Sequence, residues 1–192
     1  MAQTLNGMQI AILVTDNFEQ VELTEPRAAL KQAGAVTRII SSQRGMVQGV
    51  NHDRKVDQFE VDAAFDEVDA RDFDAVLLPG GVMNADRIRV IRQAQQFVKS
   101  IDEEGKPVAV ICHGPWLLVS AGLVRGRTLT SWPTLQDDIR NAGGKWVDRE
   151  VVVDRNWVSS RKPADIAAFN VHMIELFSQH QRHTHEKQTQ HA

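Results

Sequence analysis

The 192-residue sequence contains one cysteine, Cys112, no tyrosine and few aromatic residues of any kind (6%). A single thiol excludes an intrachain disulfide, a zinc site built from several cysteines and an iron–sulfur cluster. Disulfides persist in oxidising compartments, and this chain has none to form. We therefore expect a protein of a reducing compartment, the cytoplasm.

Two further absences concern charge and hydrophobic length. Lys and Arg number 22 against 25 Asp and Glu, so the formal net charge of −3 leaves no basic excess for binding nucleic acid. The sequence has no apolar run near the roughly 20 residues that span a bilayer, and its first residues lack the pattern of a secretory leader. Nucleic acid and membranes are therefore not expected as partners.

The hydrophobic content of 42% and the charged content of 24% are ordinary for one folded domain of this length. Four continuous apolar runs of strand length occur, which is the pattern of strands buried on both faces of a parallel sheet. They are residues 8–14, 36–40, 75–78 and 108–111. Helical patterns separate the runs, so the sequence predicts an α/β protein with a mainly parallel sheet.

Helices are predicted between the strands and at the end of the domain. One has Pro26 in its first turn, where proline is tolerated, and another covers residues 88–101, where apolar residues recur at helical spacing. A last helix is predicted over residues 163–177. We predict a single domain over residues 1–178 and a disordered, His-rich tail over residues 179–192, because the tail lacks apolar periodicity. The tail offers no carboxylate or thiolate framework that would fix a metal site.

The chemistry is expected at one edge of the sheet, because ligands of parallel α/β sheets bind beyond the carboxyl ends of the strands. Cys112 directly follows the run at 108–111, and Gly114 and Pro115 suit a sharp corner and the first turn of a helix. A helix N-terminus lowers the pKa of a nearby thiol. The pattern alone leaves two interpretations of Cys112, a reactive nucleophile or a small buried hydrophobic residue.

Four other loop residues gain a role only if the topology brings them to Cys112. His113 is either an acid or base beside the thiol or a residue that hydrogen-bonds the backbone. Glu19 is either a protonated carboxyl partner of the sulfur or an ordinary surface carboxylate. Gly80 and Gly81 either supply N–H groups to an oxyanion hole or form a simple turn.

Four ordered segments closely resemble the PfpI (ThiJ/PfpI) family, which includes intracellular proteases, glyoxalase III enzymes and the parkinsonism-associated deglycase. They are DNFEQVEL (16–23), LLPGG (77–81), DRIR (86–89) and AVICHGPW (109–116). The resemblance continues to SRKP (160–163), so it covers nearly all of the chain outside the tail.

The resemblance implies a flavodoxin-like three-layer sandwich, with Cys112 as the nucleophile at an elbow, Glu19 as the carboxyl partner of its sulfur and His113 as the adjacent acid or base. It also implies a homodimer or a higher homo-oligomer, because in this branch an acidic residue of a neighbouring subunit approaches the histidine. Asp86 matches that position, where the family usually has the longer Glu. Trp116 either walls the substrate pocket or packs the core.

Three functions fit this pattern, and none of them needs a cofactor or a metal. The first is a stress-protective, cysteine-dependent enzyme of the glyoxalase III or deglycase type, which converts methylglyoxal to lactate through a hemithioacetal at Cys112. The second is an intracellular cysteine peptidase or amidase, and the third is a non-catalytic, redox-sensing stress chaperone. We favour the first, because amide hydrolysis also demands a well-oriented acid for a poor leaving group.

Overall fold

The computed structural model describes residues 4–190, with side chains described through residue 183. Within this range the chain forms twelve β-strands and six α-helices. The strands are β1 (Gln9–Leu13), β2 (Phe18–Glu19), β3 (Val36–Ser41), β4 (Gly45–Asn51), β5 (Arg54–Val61), β6 (Ala63–Ala64), β7 (Ala75–Leu78), β8 (Val108–Ile111), β9 (Thr128–Leu129), β10 (Lys145–Trp146), β11 (Val151–Asp154) and β12 (Trp157–Ser160). The helices are α1 (Gln20–Gln32), α2 (Val82–Ile88), α3 (Arg92–Glu103), α4 (Pro115–Ser120), α5 (Gln136–Asn141) and α6 (Ile166–Gln190).

A seven-stranded sheet with the order β11-β12-β8-β7-β1-β3-β6 forms the centre of the fold. Its neighbouring strands pair in parallel except for β11, which is antiparallel to β12. The four apolar runs become β1, β3, β7 and β8, and every residue of β7 and β8 is buried. The prediction of a mainly parallel α/β sheet is therefore confirmed.

Helices cover both faces of this sheet, and the side chains of β1 alternate between them. Ile10 and Ile12 join the apolar core shared with α1 and α6, whereas Ala11 and Leu13 join the core shared with α3 and α4. This alternation follows from the two-residue period of a strand. The result is the flavodoxin-like three-layer sandwich, and the carboxyl ends of β1, β7 and β8 lie side by side at one edge.

The boundaries of the first two predicted helices differ from those found. Helix α1 begins at Gln20, so Pro26 lies in its interior rather than in its first turn. Leu23, Pro26 and Leu30 are all buried, and this packing offsets the backbone hydrogen bond that an interior proline removes. The helix predicted over residues 88–101 is divided, because α2 ends at Ile88 and the chain is extended at Ile91 before α3 begins.

Helix α6 runs through the segment from residue 179 that the sequence predicted to be disordered. The segment contains neither glycine nor proline, and a helix already nucleated by a packed first half propagates at little cost. Gln181 Nε2 also donates to the Asn6 carbonyl at 3.0 Å, which ties this part of the helix to the domain. Two histidines of the predicted tail are not described: the side chain of His185 and the whole of His191 lie outside the described residues. Between residues 4 and 190 no helix combines the length and the apolar character needed to cross a bilayer.

Candidate active site

Cys112 lies at a sharp corner between β8 and α4. Its φ of 61° is in the left-handed region, which non-glycine residues rarely adopt, and its side chain is buried. Both backbone groups are fixed, because Cys112 N–H donates to Ser160 O at 3.1 Å and Cys112 O accepts from Trp132 N–H at 2.9 Å. A Cβ at Gly114 would lie 2.6 Å from Leu78 O, so the corner requires glycine there. Backbone strain held in this way is typical of functional sites.

The two glycines after β7 have different roles. The N–H of Gly81 points at the Cys112 sulfur, as does the N–H of His113. The N–H of Gly80 instead donates to Glu22 Oε2 at 2.7 Å. A Cβ at Gly80 would lie 2.5 Å from that oxygen and 2.7 Å from the Cys112 Cβ, so only glycine allows the two segments to approach this closely.

Asn84 holds this glycine turn against the end of β1, a role that the sequence analysis missed. Its side chain is fully buried, and Nδ2 donates to the carbonyls of Pro79 and Gly80 at 3.2 and 2.9 Å. Its Oδ1 accepts from Thr15 N–H at 2.6 Å. The only signal in the sequence is an amide side chain on a helix face that is otherwise apolar.

The carboxyl group beside the sulfur belongs to Glu22, not to Glu19 as the sequence predicted. Glu22 is fully buried and interacts directly with the Cys112 side chain. Burial raises the pKa of Glu22 from 4.5 to about 8, so the carboxyl is protonated at neutral pH. Its Oε1 is buried without an N–H or O–H donor among the described residues.

Glu19 lies at the start of α1 and is directed toward the β4–β5 hairpin. Its Oε2 accepts from the backbone N–H of His52 at 3.0 Å, and the His52 Nδ1 lies 4.0 Å from the same oxygen. The side chain is only 10% exposed. The predicted burial of Glu19 is therefore found, but its partner is the hairpin rather than the sulfur.

His113 contacts the thiol, with Nδ1 3.2 Å from the Cys112 sulfur. Burial lowers the pKa of His113 from 6.5 to about 4, so the imidazole is neutral and able to accept a proton. Burial and the nearby Glu22 carboxyl raise the pKa of Cys112, and the N–H groups of Gly81 and His113 oppose that rise. A helix N-terminus alone predicts a lowered pKa for the thiol. That prediction is wrong, because burial outweighs the backbone donors.

Two tryptophans flank His113 and line the cavity in front of Cys112. The Trp132 ring stacks on the imidazole with centroids 5.8 Å apart, and the Trp116 ring meets it edge-on at 5.5 Å. Trp116 Nε1 donates to Asp138 at 2.9 Å, and the Arg89 guanidinium lies over its ring. The cavity has a volume of about 800 Å³.

Asp86 is exposed on α2, and within residues 4–190 it makes no hydrogen bond or ion pair with His113. Its predicted role depends on a second subunit and stays a prediction. Among the described residues, no three His, Cys, Asp or Glu side chains are grouped so that they could hold a metal ion.

The protonated Glu22 predicts a specific pH dependence of stability. Between about pH 4.5 and 8 the folded chain holds this proton and the unfolded chain does not. The contribution of Glu22 to the free energy of unfolding is therefore full below pH 4.5 and is lost as the pH rises through 8. We expect Glu22→Gln, which cannot ionise, to lose less stability than the wild type between about pH 5 and 8 in urea denaturation.

The matched control for this prediction is Glu25→Gln, which removes an exposed carboxyl from the same helix. This variant should follow the wild-type dependence. An equal loss of stability in the Glu22→Gln and wild-type proteins would contradict a protonated Glu22.

These features define a flavodoxin-like α/β protein with a buried cysteine at a strand-to-helix elbow, supported by a carboxyl group and an imidazole. The sequence matches the DJ-1/PfpI family over residues 8–176, and the chain belongs to that family.

The similarity to known proteins covers most of this chain. Deglycase TK1284 of Thermococcus kodakarensis is 46% identical over 169 residues, which are 88% of this chain and 99% of that protein. Protein/nucleic acid deglycase 2 of Escherichia coli is 41% identical over 170 residues, which are 88% of this chain and 96% of that protein. A solved two-domain protein of Anabaena variabilis, with DJ-1/ThiJ/PfpI-like and ferritin-like domains, is similar with a TM-score of 0.82 and 34% identity, over 88% of this chain and 47% of that one.

Proposed function

We propose that this protein is a cofactor-independent, cysteine-dependent enzyme that acts on reactive dicarbonyls, of the glyoxalase III and deglycase type. Its substrate is an oxoaldehyde such as methylglyoxal, or the same unit carried on an amine or thiol, and its product from methylglyoxal is lactate. The observation that carries the proposal is the contact of the Cys112 sulfur with a neutral imidazole, a protonated carboxyl and two backbone N–H groups. The names of the deglycase relatives support it.

The first step is addition of the sulfur to the aldehyde carbon. As the C–S bond forms, the thiol proton moves to His113 Nδ1, 3.2 Å away, and the carbonyl electron pair moves to oxygen. The N–H groups of Gly81 and His113, which point at the sulfur, are placed to stabilise the new oxyanion. The proton then returns from the imidazole to this oxygen, which gives a neutral hemithioacetal.

The second stage is an internal proton transfer followed by hydrolysis. The neutral imidazole of His113 removes the proton from the former aldehyde carbon, and the electron pair forms a carbon–carbon double bond as the neighbouring carbonyl becomes an enediolate oxygen. The hydroxyl proton on the first carbon then passes to this oxygen, so that a carbonyl forms at the first carbon. At the same time the imidazolium returns its proton to the second carbon, which gives a lactoyl thioester of Cys112. Water then adds to the thioester, the C–S bond breaks, and lactate leaves as the thiol is restored. The net reaction is methylglyoxal plus water to lactic acid.

The experiment that tests this proposal follows the product rather than the loss of substrate. The purified protein without glutathione should form lactate in large excess over the number of subunits, and it should cleave peptide amides weakly or not at all. Loss of methylglyoxal that stops after one equivalent would indicate simple thiol scavenging and would contradict an enzyme. Efficient amide cleavage without lactate formation would favour a peptidase.

We also propose that the working unit is a homodimer or a higher oligomer in the cytoplasm. Val82 and Met83 of α2 are each 51% exposed at the edge of the cavity, and Asp86 follows on the same helix. A second copy covering this surface would bury these apolar side chains and bring an acidic group near His113. Sedimentation of a fully active monomer at assay concentration would contradict this arrangement.

A further inference from the structure

One wall of the cavity comes from the tip of the β4–β5 hairpin, residues 51–55, and has no part in the chemistry described above. His52, Asp53 and Lys55 line the cavity from this tip. Within the described residues, neither the Asp53 carboxylate nor the Lys55 ammonium has a hydrogen-bond or ion-pair partner for its side chain. The hairpin tip therefore presents polar groups that are available to a ligand.

A second wall of the cavity is aromatic. Trp116 and Trp132 line it beside His113, so the cavity combines aromatic faces with charged hydrogen-bonding groups. Aromatic faces pack on the C–H surfaces of a polyhydroxylated chain, while carboxylate and ammonium groups bond its hydroxyls. A small dicarbonyl cannot reach all of these groups in a cavity of about 800 Å³.

Glu19 holds the hairpin tip in place. Its buried carboxylate accepts the His52 N–H at 3.0 Å, at a residue whose φ of 58° turns the chain back. The middle of the hairpin is held separately, since Gln20 and Asp57 exchange hydrogen bonds of 2.7 and 2.9 Å. Loss of Glu19 would therefore release the tip without releasing the hairpin.

We infer that the hairpin tip binds the hydroxylated chain of a sugar-derived oxoaldehyde, and that Glu19 is the positioning residue for this subsite. The inference rests on the proposed function, because the oxoaldehyde end of the same molecule must lie at Cys112. Asp53 and Lys55 bind the hydroxyl groups. Glu19 acts by accepting the hydrogen bond from the His52 N–H, and it does not touch the reacting atoms.

The test compares 3-deoxyglucosone, which carries a polyhydroxylated chain, with methylglyoxal, which does not. Glu19→Ala should lower the ratio of kcat/KM for 3-deoxyglucosone over methylglyoxal by about tenfold, mainly through KM, because a charged hydrogen bond that orders the tip is lost. Glu19→Gln keeps an oxygen acceptor for the His52 N–H and should restore most of that ratio. Lys55→Ala, at an exposed residue, should lower the ratio several-fold without affecting the fold.

Glu60→Gln is the matched control, because it removes an exposed carboxylate from the same hairpin away from the cavity. It should leave the ratio unchanged. An unchanged ratio in both Glu19→Ala and Lys55→Ala would overturn the inference. Equal losses for both substrates in Glu19→Ala and Glu19→Gln would overturn it as well, by assigning Glu19 to the reacting atoms.

A binding measurement separates this inference from the proposed function. Calorimetric titration of 3-deoxyglucosone into the Cys112→Ser protein reports binding of the chain without thiol addition. Binding of 3-deoxyglucosone that is weakened several-fold by adding Lys55→Ala supports the subsite. This holds even if the wild type turns over neither dicarbonyl, in which case the proposed function alone has failed. No difference between 3-deoxyglucosone and methylglyoxal in this titration would overturn the subsite.

Discussion

Replacing Cys112 with serine should lower lactate formation from methylglyoxal by about a thousandfold or more. A hydroxyl is a far weaker nucleophile than a thiol beside the same neutral imidazole, and it forms no thioester. The substitution keeps the size and the corner position of the side chain. The measurement is chiral analysis of lactate over time, at enzyme concentrations high enough to detect slow turnover.

Unfolding must be excluded as the cause of this loss. Cys112 is 6% exposed, and its backbone is held by Ser160 and Trp132, so the serine protein should retain a wild-type circular dichroism spectrum and nearly the same Tm. Cys112→Ala should be as inactive as the serine variant. Substantial lactate formation by either protein would place the nucleophile elsewhere.

Replacing His113 with alanine should lower kcat for methylglyoxal by about a hundredfold to ten-thousandfold, because the proton transfers at the sulfur and at both substrate carbons pass through Nδ1. In the wild type, burial keeps the pKa of His113 at about 4, so the acid limb of the kcat profile should lie near pH 4 and vanish in the variant. Stopped-flow and steady-state rates across this pH range provide the measurement.

His172→Ala is the matched control for this second prediction. His172 is exposed on α6 and bonds the Ala168 carbonyl one turn earlier, away from the cavity. Its kcat and pH profile should equal those of the wild type. A His113→Ala protein with normal kcat would show that another group, or solvent, carries the proton.

The parts of the fold that could be predicted are those set by continuous burial. Strands β7 and β8 have the predicted bounds, because a strand buried on both faces requires an unbroken apolar run. The elbow could also be placed, since Cys112 and Gly114 follow such a run directly. Local sequence determines these features almost completely.

The choice between two carboxyl groups could not be made without the register of α1. With Pro26 predicted in the first turn of the helix, Glu19 and Glu22 both precede that helix, and the prediction named Glu19 alone as the partner of the sulfur. Once the helix begins at Gln20, Glu22 shares the buried face of Leu23, Pro26 and Leu30, which follows helical spacing. Packing against the sheet fixes that register, and the proline had argued for a later start.

The hairpin tip and Asn84 lay beyond prediction for a different reason. Their roles arise from contacts between segments far apart in the chain, such as the bond between Asn84 and Thr15 across 69 positions and that between His52 and Glu19 across 33. The residues next to either partner in the sequence give no indication of the pairing. Only the topology brings these groups together.

The bond between Gly80 and Glu22, across 58 positions, also determines when the chain acquires its chemistry. Contacts of such long sequence separation form late in folding, because the entropy of closing the intervening loops must be overcome first. Neither the carboxyl nor the glycine turn can influence the sulfur until β1, β7 and β8 have assembled. A newly made or partly unfolded chain therefore carries an ordinary thiol, and the reactive site exists only in the finished fold.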